Sequence, residues 1–210
     1  MPDENETMSN PSTVVFDIGN VLLDWDPRYL YRSIFDDEER MEWFLAEVCT
    51  PAWNIEQDRG RTFKDAVAEL VAVHPHLEAE IRAFDERWPE TVSRVIDGSL
   101  DILQTLRAQQ VPNYAITNFS AEKFADARRI WPFLDTFDGI DVSGEHRLLK
   151  PDPAIYRLLL DTHGLAAGDC VFIDDSVKNV DGARAVGMHA LHFTGPETLR
   201  DDLRGLGFAL

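Results

Sequence analysis

Cysteine is scarce in this 210-residue sequence: Cys49 and Cys170 lie far apart, each in an apolar context. Two isolated thiols predict reduced, buried side chains rather than a disulfide framework. Long apolar runs are missing too, since none approaches the ~18 residues of a membrane span. The first residues, MPDENETMSNP, contain no basic residue and no apolar stretch, so we expect a short disordered tail over residues 1–12 and no secretory signal. These absences predict a cytoplasmic protein.

Positive charge is also in short supply. The 20 Lys and Arg residues stand against 38 Asp and Glu residues, which gives a formal net charge of −18. A chain this acidic is not expected to bind nucleic acid or an anionic membrane surface. Its length and its 44% hydrophobic content suffice for one sizeable core, or for a core and a small inserted domain. We therefore expect a monomer or homodimer that acts on a small molecule.

The apolar periodicity changes character along the chain. Val14–Phe16 is typical of a buried strand, whereas residues 28–94 carry helical spacing throughout. Beyond them, buried strand segments such as YAITN and CVFIDD alternate with helical segments. This alternation predicts an α/β fold, with a Rossmann-like parallel sheet and helices on both of its faces. The core would comprise residues 13–27 and 95–210, and residues 28–94 would form a small all-α cap inserted after the first strand.

Polar side chains stand where three predicted strands end: Asp17, then Thr117 and Asn118, then Asp174 and Asp175. Taken alone, each has an ordinary structural interpretation as a turn or helix-capping residue. In an open α/β sheet, however, ligands bind beyond the carboxyl ends of the strands. We therefore expect these side chains to meet in one site.

Three carboxylates at neighbouring strand ends repel one another unless a cation neutralises them. Oxygen ligands with positions left for water suit Mg²⁺. Lys150, which alone reads as a surface lysine, would complete a pocket for a small dianion such as phosphate. Asp17 would then be an in-line nucleophile that forms an aspartyl-phosphate, with Lys150 balancing charge and Thr117 donating to a phosphoryl oxygen.

The four segments that carry these residues resemble, in order and spacing, the motifs of the haloacid dehalogenase-like hydrolases. They are VVFDIGNVLLDWDP, ITN, LLKPDPAIY and VFIDDSVKNVDGARAVGM, and the resemblance covers about residues 13–195. FDIGN with DWDP and FIDDS is most similar to a branch of bacterial sugar-phosphate phosphatases, the glucose-1-phosphate phosphatases among them. The resemblance implies a Mg²⁺-dependent phosphatase with a helical cap and a phosphorylated metabolite, expected to be a sugar phosphate, as its substrate.

The resemblance also implies roles for individual residues. Asp17 would be the nucleophile and a metal ligand, Lys150 would stabilise the phosphoryl group, and Thr117 with the Asn118 amide would bind it. The metal would further be held by the Gly19 carbonyl, by Asp175 directly, and by Asp174 directly or through water. Asn179 would support these ligands from behind.

One position departs from the familiar pattern. Many phosphatases of this family carry a second Asp two residues after the nucleophile, which protonates the leaving alkoxide, and here that residue is Gly19. Losing a general acid costs on the order of 10²–10⁴ in rate. Asp24 and Asp26 are the nearest substitutes, although a capping role is the ordinary interpretation of both. Otherwise the substrate would need a weakly basic leaving oxygen, as an anomeric sugar phosphate has.

Two other functions stay open at this stage. A metal-independent 2-haloacid dehalogenase uses a similar Asp, Thr and Lys set, but the pair Asp174–Asp175 favours a metal site. A non-catalytic phosphate-binding or regulatory protein is the other alternative, because Gly19 removes the usual proton donor. Among the tryptophans, we expect Trp53 to face the substrate and Trp25 to close over the site.

Overall fold

The computed structural model describes residues 10–210. Its strands and helices are, in chain order, β1 (Thr13–Phe16), β2 (Leu23–Trp25), α1 (Pro27–Tyr31), α2 (Glu38–Glu47), α3 (Pro51–Asp58), α4 (Phe63–Val73), α5 (Glu78–Glu86), β3 (Val92–Val95), α6 (Asp97–Ala108), β4 (Asn113–Thr117), α7 (Ala121–Ile130), β5 (Gly139–Val142), α8 (Ser143–His146), α9 (Pro153–His163), β6 (Cys170–Asp174), α10 (Val177–Ala185), β7 (His189–His192) and α11 (Pro196–Gly205).

The central sheet has five strands in the order β5-β4-β1-β6-β7. All four pairings are parallel, as the alternation of strands and helices predicts. β1 lies in the middle, with β4 on one side and β6 on the other, so the strand order reverses beside it. Such a reversal opens a crevice at the carboxyl ends of the strands.

Helices cover both faces of this sheet. Val14 and Phe16 of β1 pack into one apolar cluster with residues of α6, α7 and α11, whereas Val15 packs into another with residues of α9 and α10. Successive side chains of a strand point to opposite faces, so one continuous apolar run supplies both clusters. The predicted α/β fold class is thereby confirmed.

The helical insert has an apolar cluster of its own, which runs from Leu30 to Phe84 through α1–α5. An antiparallel ribbon of β2 and β3 joins it to the core, with Leu23 opposite Val95. The sequence did not predict this ribbon, because three or four residues are too few to establish an alternation. The predicted boundaries at 28 and 94 fall at the start of α1 and within β3, and they remain predictions.

The ends of the core differ in part from expectation. Residues 1–9 of the predicted tail lie outside the described residues. The Ser12 amide, however, donates to the Asp169 carbonyl at 2.9 Å and Pro11 is buried, so the chain is anchored before β1 begins. The sequence pattern did not predict α11, which packs on α6. Cys49 and Cys170 are free and buried, as predicted.

The described residues include no helix that is both long and apolar enough to cross a membrane.

The start of α9 follows from its local sequence. The Asp152 carboxylate accepts the Ala154 amide at 2.9 Å, and Pro153 occupies the first turn. Gly164 ends the helix with φ at 65°, a left-handed conformation that glycine adopts without strain. This cap fixes the chain just after Lys150, the cation predicted for the site.

Candidate active site

The polar residues at the three strand ends come together, as the sequence predicts. Asp17 directly follows β1, Thr117 ends β4 and Asp174 ends β6, and these strands are neighbours in the sheet. The Asp17 amide donates to the Ile173 carbonyl at 2.8 Å, which continues the β1–β6 pairing up to the nucleophile position. All three side chains are buried, so the sheet itself holds them at the edge of the crevice.

Three carboxylates form an acidic cluster at this edge. Asp17, Asp174 and Asp175 each offer an oxygen, and these oxygens lie within 4.8 Å of one another. Burial raises the pKa of the Asp17 carboxyl more than the Lys150 ammonium lowers it, and the other two carboxylates raise it further. Burial and the charge of Asp174 also raise the pKa of Asp175.

An oxygen-liganded divalent cation fits this cluster, because it would favour the ionised form of every member. The Gly19 carbonyl accepts no hydrogen bond from the described residues, so its oxygen is available as a further ligand. Asp174 is less available, since its two oxygens already accept four hydrogen bonds. The donor set therefore favours Asp17, Asp175 and the Gly19 carbonyl as direct ligands.

Lys150 lies at the centre of the site and is almost completely buried. Its ammonium donates to Asp17 Oδ1 at 2.8 Å, to Asp174 Oδ2 at 2.7 Å and to the Ile116 carbonyl at 3.0 Å. Burial lowers the pKa of this ammonium, but the charges of the two carboxylates outweigh burial and raise it. Lys150 therefore stays charged beside Asp17, where its charge lowers the pKa of that carboxyl against the larger effect of burial.

Asn118 holds the backbone of this lysine. Its Oδ1 accepts the Lys150 amide at 2.8 Å, and its Nδ2 donates to the Lys150 carbonyl at 3.1 Å. The side chain is thus committed to positioning Lys150, and only the backbone amide of Asn118 remains for a phosphoryl oxygen. This clamp was not foreseen in the sequence, because it joins residues that lie far apart along the chain.

Asn179, on α10, holds Asp174 in a similar way. Its Nδ2 lies 2.9 and 3.1 Å from the two Asp174 oxygens, and the Ser176 amide donates to Oδ1 at 2.8 Å. A turn of helix therefore anchors the carboxylate that in turn holds Lys150. Asn179 thus contacts Asp174 directly, and its role in supporting the metal ligands stays a prediction.

The structure does not favour Asp24 as a substitute acid. Asp24 lies on the β2–β3 ribbon, where Ser93, Tyr29 and Arg94 all donate to its carboxylate. Burial is the largest single influence and raises the pKa of Asp24, but these hydrogen bonds and the Arg94 charge together outweigh burial and lower it. A carboxyl group held ionised in this way is a poor proton donor at neutral pH.

Asp26 is likewise occupied. Its carboxylate accepts the Arg28 amide at 2.8 Å as the N-cap of α1, and it lies 3.3 Å from the Arg28 guanidinium. The capping interpretation that the sequence left open for Asp26 therefore describes its contacts.

A small cavity of about 100 Å³ lies between cap and core beside Gly19. Asn118, Ser120 and Lys123 line its core side, and Asp58 of α3 lines its cap side. Among the described residues that line it, Asp58 carries the sole carboxylate. Burial raises the pKa of Asp58 to about 7, although a backbone hydrogen bond from Ser120 lowers it. Asp58 was not among the predicted site residues, because the local pattern WNIEQDRG carries no information about its proximity to the sheet.

A larger cavity of about 700 Å³ adjoins the small one and shares Trp25, Asn54, Asp58 and Asn118 with it. Eight of the fifteen residues that line it are apolar. The apolar lining residues are Trp25, Pro27, Leu45, Ala46, Cys49, Pro51, Ile55 and Phe84. The tryptophan at this cleft is therefore Trp25, as expected, whereas Trp53 packs against Phe63 and Phe84 inside the cap. The prediction that Trp53 faces the substrate is wrong, because its ring packs against the apolar cluster of the cap and lines neither cavity.

Comparison with known proteins places this geometry in context. A family model for haloacid dehalogenase-like hydrolases matches residues 11–187. The chain is 29% identical over 192 residues to the sesquiterpene phosphatase AstK of Aspergillus oryzae, a match that covers 91% of this chain and 94% of that protein. It is 27% identical over 216 residues to a phosphatase of Mycobacterium tuberculosis, covering 95% and 96% of the two chains.

A solved structure shares the fold. It is a haloacid dehalogenase family enzyme of Bacteroides thetaiotaomicron in complex with magnesium and inorganic phosphate. The TM-score is 0.68 at 20% identity, and the match covers 88% of this chain and 95% of that one.

Proposed function

Because the chain belongs to the haloacid dehalogenase-like hydrolases, we propose that it is a Mg²⁺-dependent phosphatase that cleaves a small phosphomonoester through an aspartyl-phosphate on Asp17. The observation that carries the proposal is the contact between the Lys150 ammonium and Asp17 Oδ1 inside a cluster of three carboxylates. A buried nucleophile, its cation and a set of oxygen ligands are the groups that phosphoryl transfer requires. The curated relatives named phosphatases are consistent with it.

The site residues divide the reaction between them. Asp17 attacks phosphorus, the bond to the alcohol oxygen breaks, and water then attacks the same phosphorus and releases phosphate and Asp17. Lys150, the Thr117 hydroxyl and the Asn118 amide bind the phosphoryl oxygens as charge develops on them. The magnesium ion, held by Asp17, Asp175 and the Gly19 carbonyl and supported by Asp174 and Asn179, would neutralise phosphoryl charge and orient the group for in-line attack.

A sugar phosphate is the substrate that the family resemblance predicts, and the larger cavity favours a second candidate. The cavity lining is mainly apolar, and Arg28 is already paired with both Glu42 oxygens, at 2.5 and 2.7 Å. A sugar would find few free partners for its hydroxyls there, whereas an apolar alcohol would bury its carbon chain. The relative named a sesquiterpene phosphatase agrees with this second candidate.

A substrate panel tests both candidates with and without EDTA. It compares glucose 1-phosphate and glucose 6-phosphate with methyl, butyl, hexyl and geranyl phosphate. A preference for an apolar alcohol would raise kcat/KM by about fourfold per buried methylene, whereas a sugar-phosphate preference would leave the alkyl series flat. Release of chloride from 2-chloropropionate without metal would instead support a dehalogenase, and an inert panel would support a regulatory protein.

Replacing the nucleophile tests the chemistry itself. We expect Asp17→Asn to lower kcat by on the order of 10⁴-fold or more, because an amide cannot form the covalent intermediate. Rapid quench of the active enzyme with labelled substrate should trap phosphate on Asp17, and a variant that kept its activity would contradict the proposal. The remaining predictions are a cytoplasmic location, a monomer or homodimer, and no binding to nucleic acid. Size-exclusion chromatography tests the oligomeric state, and a binding measurement tests the absence of nucleic-acid binding.

A further inference from the structure

The departure at Gly19 leaves space on the core side of the small cavity. A Cβ atom built on Gly19 meets nothing within 4 Å, so neither backbone strain nor crowding requires glycine there. Among the described residues, the core lines this cavity with no carboxyl group, Asp24 and Asp26 are occupied on and beside the ribbon, and the Lys123 ammonium is bound by Asp85. A group that protonates a leaving alcohol must therefore reach into the cavity from elsewhere.

Asp58 reaches the same cavity from the cap. It is the last residue of α3, and it lines both the small cavity beside Gly19 and the larger cavity beyond it. An alcohol that leaves from beside Gly19 toward the larger cavity would therefore pass Asp58, because this residue lines both cavities.

Contacts with the core hold Asp58 in this position. The Ser143 hydroxyl donates to its backbone carbonyl at 2.6 Å and accepts the Phe119 amide at 2.9 Å, which ties the end of α3 to the loop after β4. Asn54, one turn earlier on α3, approaches its carboxylate at 3.4 Å. These contacts fix the position of Asp58, a cap residue, relative to the central sheet.

The charged neighbours of Asp58 are engaged elsewhere. Directly after α3, Arg59 pairs with Glu56 of that helix, and the Arg147 side chain after α8 packs beside Gly60. On α7, the Lys123 ammonium is bound by Asp85 and lies 3.9 Å from Asp126. Within the described residues, no cation forms an ion pair with the Asp58 carboxylate. Burial therefore dominates, and the raised pKa leaves a substantial protonated fraction near neutral pH.

We propose that Asp58 is the general acid and base of this enzyme, taking from the cap the role that the residue at position 19 lacks. The proposal rests on the phosphatase function proposed above. When Asp17 forms its bond to phosphorus, the bond to the ester oxygen breaks and the Asp58 proton moves to that oxygen, so the alcohol leaves neutral. Asp58 is then a carboxylate, and it takes a proton from the water that attacks the aspartyl-phosphate.

The test compares leaving groups in Asp58→Asn. For butyl phosphate, whose alkoxide is strongly basic, we expect kcat/KM to fall by on the order of 10²–10⁴-fold. For p-nitrophenyl phosphate, whose phenolate needs no proton, we expect a change of less than about threefold, because kcat/KM covers only the steps up to alcohol release. Equal losses on both substrates would reduce Asp58 to a structural role, and an unchanged variant would also overturn the proposal.

The pH profile is a second, independent readout. The wild-type kcat/KM for butyl phosphate should decline above about pH 7, because the acid must be protonated to donate. That basic limb should be absent in Asp58→Asn and absent for p-nitrophenyl phosphate. A basic limb that survives in the variant would assign the titration to another group and overturn the proposal.

Two further variants sharpen the result. Adding Gly19→Asp to Asp58→Asn should raise kcat/KM for butyl phosphate at least tenfold above that of Asp58→Asn alone, because position 19 has room for a side chain. Glu56→Gln is the control, because Glu56 lies on the same helix but pairs with Arg59 outside both cavities. It should leave kcat/KM for both substrates unchanged. A wild-type protein inert toward p-nitrophenyl phosphate would overturn the phosphatase function itself, whereas an active wild type with an insensitive Asp58→Asn would overturn only the role of Asp58.

Discussion

At the scale of single residues, the site depends on side chains that hold other side chains. Asn118 bonds both backbone groups of Lys150, and Asn179 bonds both oxygens of Asp174. Neither amide carries charge, yet each determines where a charged group points. Precise placement matters because a displacement of about 1 Å in a reacting group costs on the order of 10²-fold in rate.

Removing the Asn118 clamp should therefore affect activity more than stability. We expect Asn118→Ala to lower kcat/KM by about 10- to 100-fold, because Lys150 loses its backbone anchor. The unfolding free energy should fall by about 1–3 kcal/mol, since two backbone groups lose their partner. Steady-state kinetics and urea denaturation measure the two effects.

Asp152→Ala is a matched control for this variant. It removes the exposed N-cap of α9, two residues after Lys150, and should cost about 1 kcal/mol of stability. Its activity should stay near that of the wild type. If both variants lost activity in proportion to stability, Asn118 would have no specific positioning role.

At the scale of elements, the cap is fastened to the core by the first turn of α7. The Glu122 carboxylate accepts the Phe63 amide of α4 at 2.9 Å. The next residue, Lys123, donates to the Asp85 backbone carbonyl of α5 at 2.9 Å, pairs with the Asp85 carboxylate and lies 4.9 Å from the Phe63 ring centre. Two consecutive residues of one core helix thus bind two helices of the cap.

Breaking this fastening should loosen the cap. We expect Lys123→Met to raise KM and to lower the unfolding free energy by about 1–3 kcal/mol, because the Asp85 carboxylate loses its partner in a largely buried contact. Thermal denaturation and substrate titration measure these changes, and a double-mutant cycle with Asp85→Asn isolates the pair.

Lys64→Met provides the comparison for that variant. Lys64 is exposed on α4 and forms no ion pair within the part of the chain that the structure describes. It should be neutral within about 0.5 kcal/mol. A coupling energy near zero between positions 123 and 85 would contradict the assignment of this contact as the fastening.

At the scale of the whole molecule, the acidic composition and the acidic cluster act together. The net charge of −18 disfavours the compact state through self-repulsion. Three carboxylates within 4.8 Å concentrate part of that repulsion at the sheet edge. A divalent cation bound there should stabilise the whole fold, because the unfolded chain does not hold the three carboxylates together.

Thermal denaturation measures this linkage. At a MgCl₂ concentration about 100 times the dissociation constant, binding contributes about 2.7 kcal/mol, which corresponds to a rise of about 5–10 °C in Tm for a chain of this size. EDTA should reverse the rise, and Asp175→Asn should abolish it. Since the chain is acidic, NaCl at equal ionic strength is the necessary control, and an equal rise in NaCl would refute a specific site.

The sequence by itself determined the features that reside in consecutive residues. Val14–Phe16 is predicted to be a buried strand because it is continuously apolar. Pro153 marks the start of a helix because its φ angle is fixed, and Gly164 marks the end because it adopts a left-handed φ without strain. The alternation of such segments implies the parallel sheet. The sheet in turn implies that Asp17 and Asp174 meet, because the carboxyl ends of parallel strands share one edge.

Only the tertiary structure decided which side chains contact one another around that edge. Asp24 is a poor proton donor because its carboxylate accepts hydrogen bonds from Ser93, Tyr29 and Arg94. These contacts form at the β2–β3 ribbon, which is too short to predict from the sequence. Asp58 became the candidate acid because the packing of the cap on the core brings it to the same cavity as Gly19. Hydrogen-bond partners and burial depend on residues distant in the chain, and local periodicity carries no information about them.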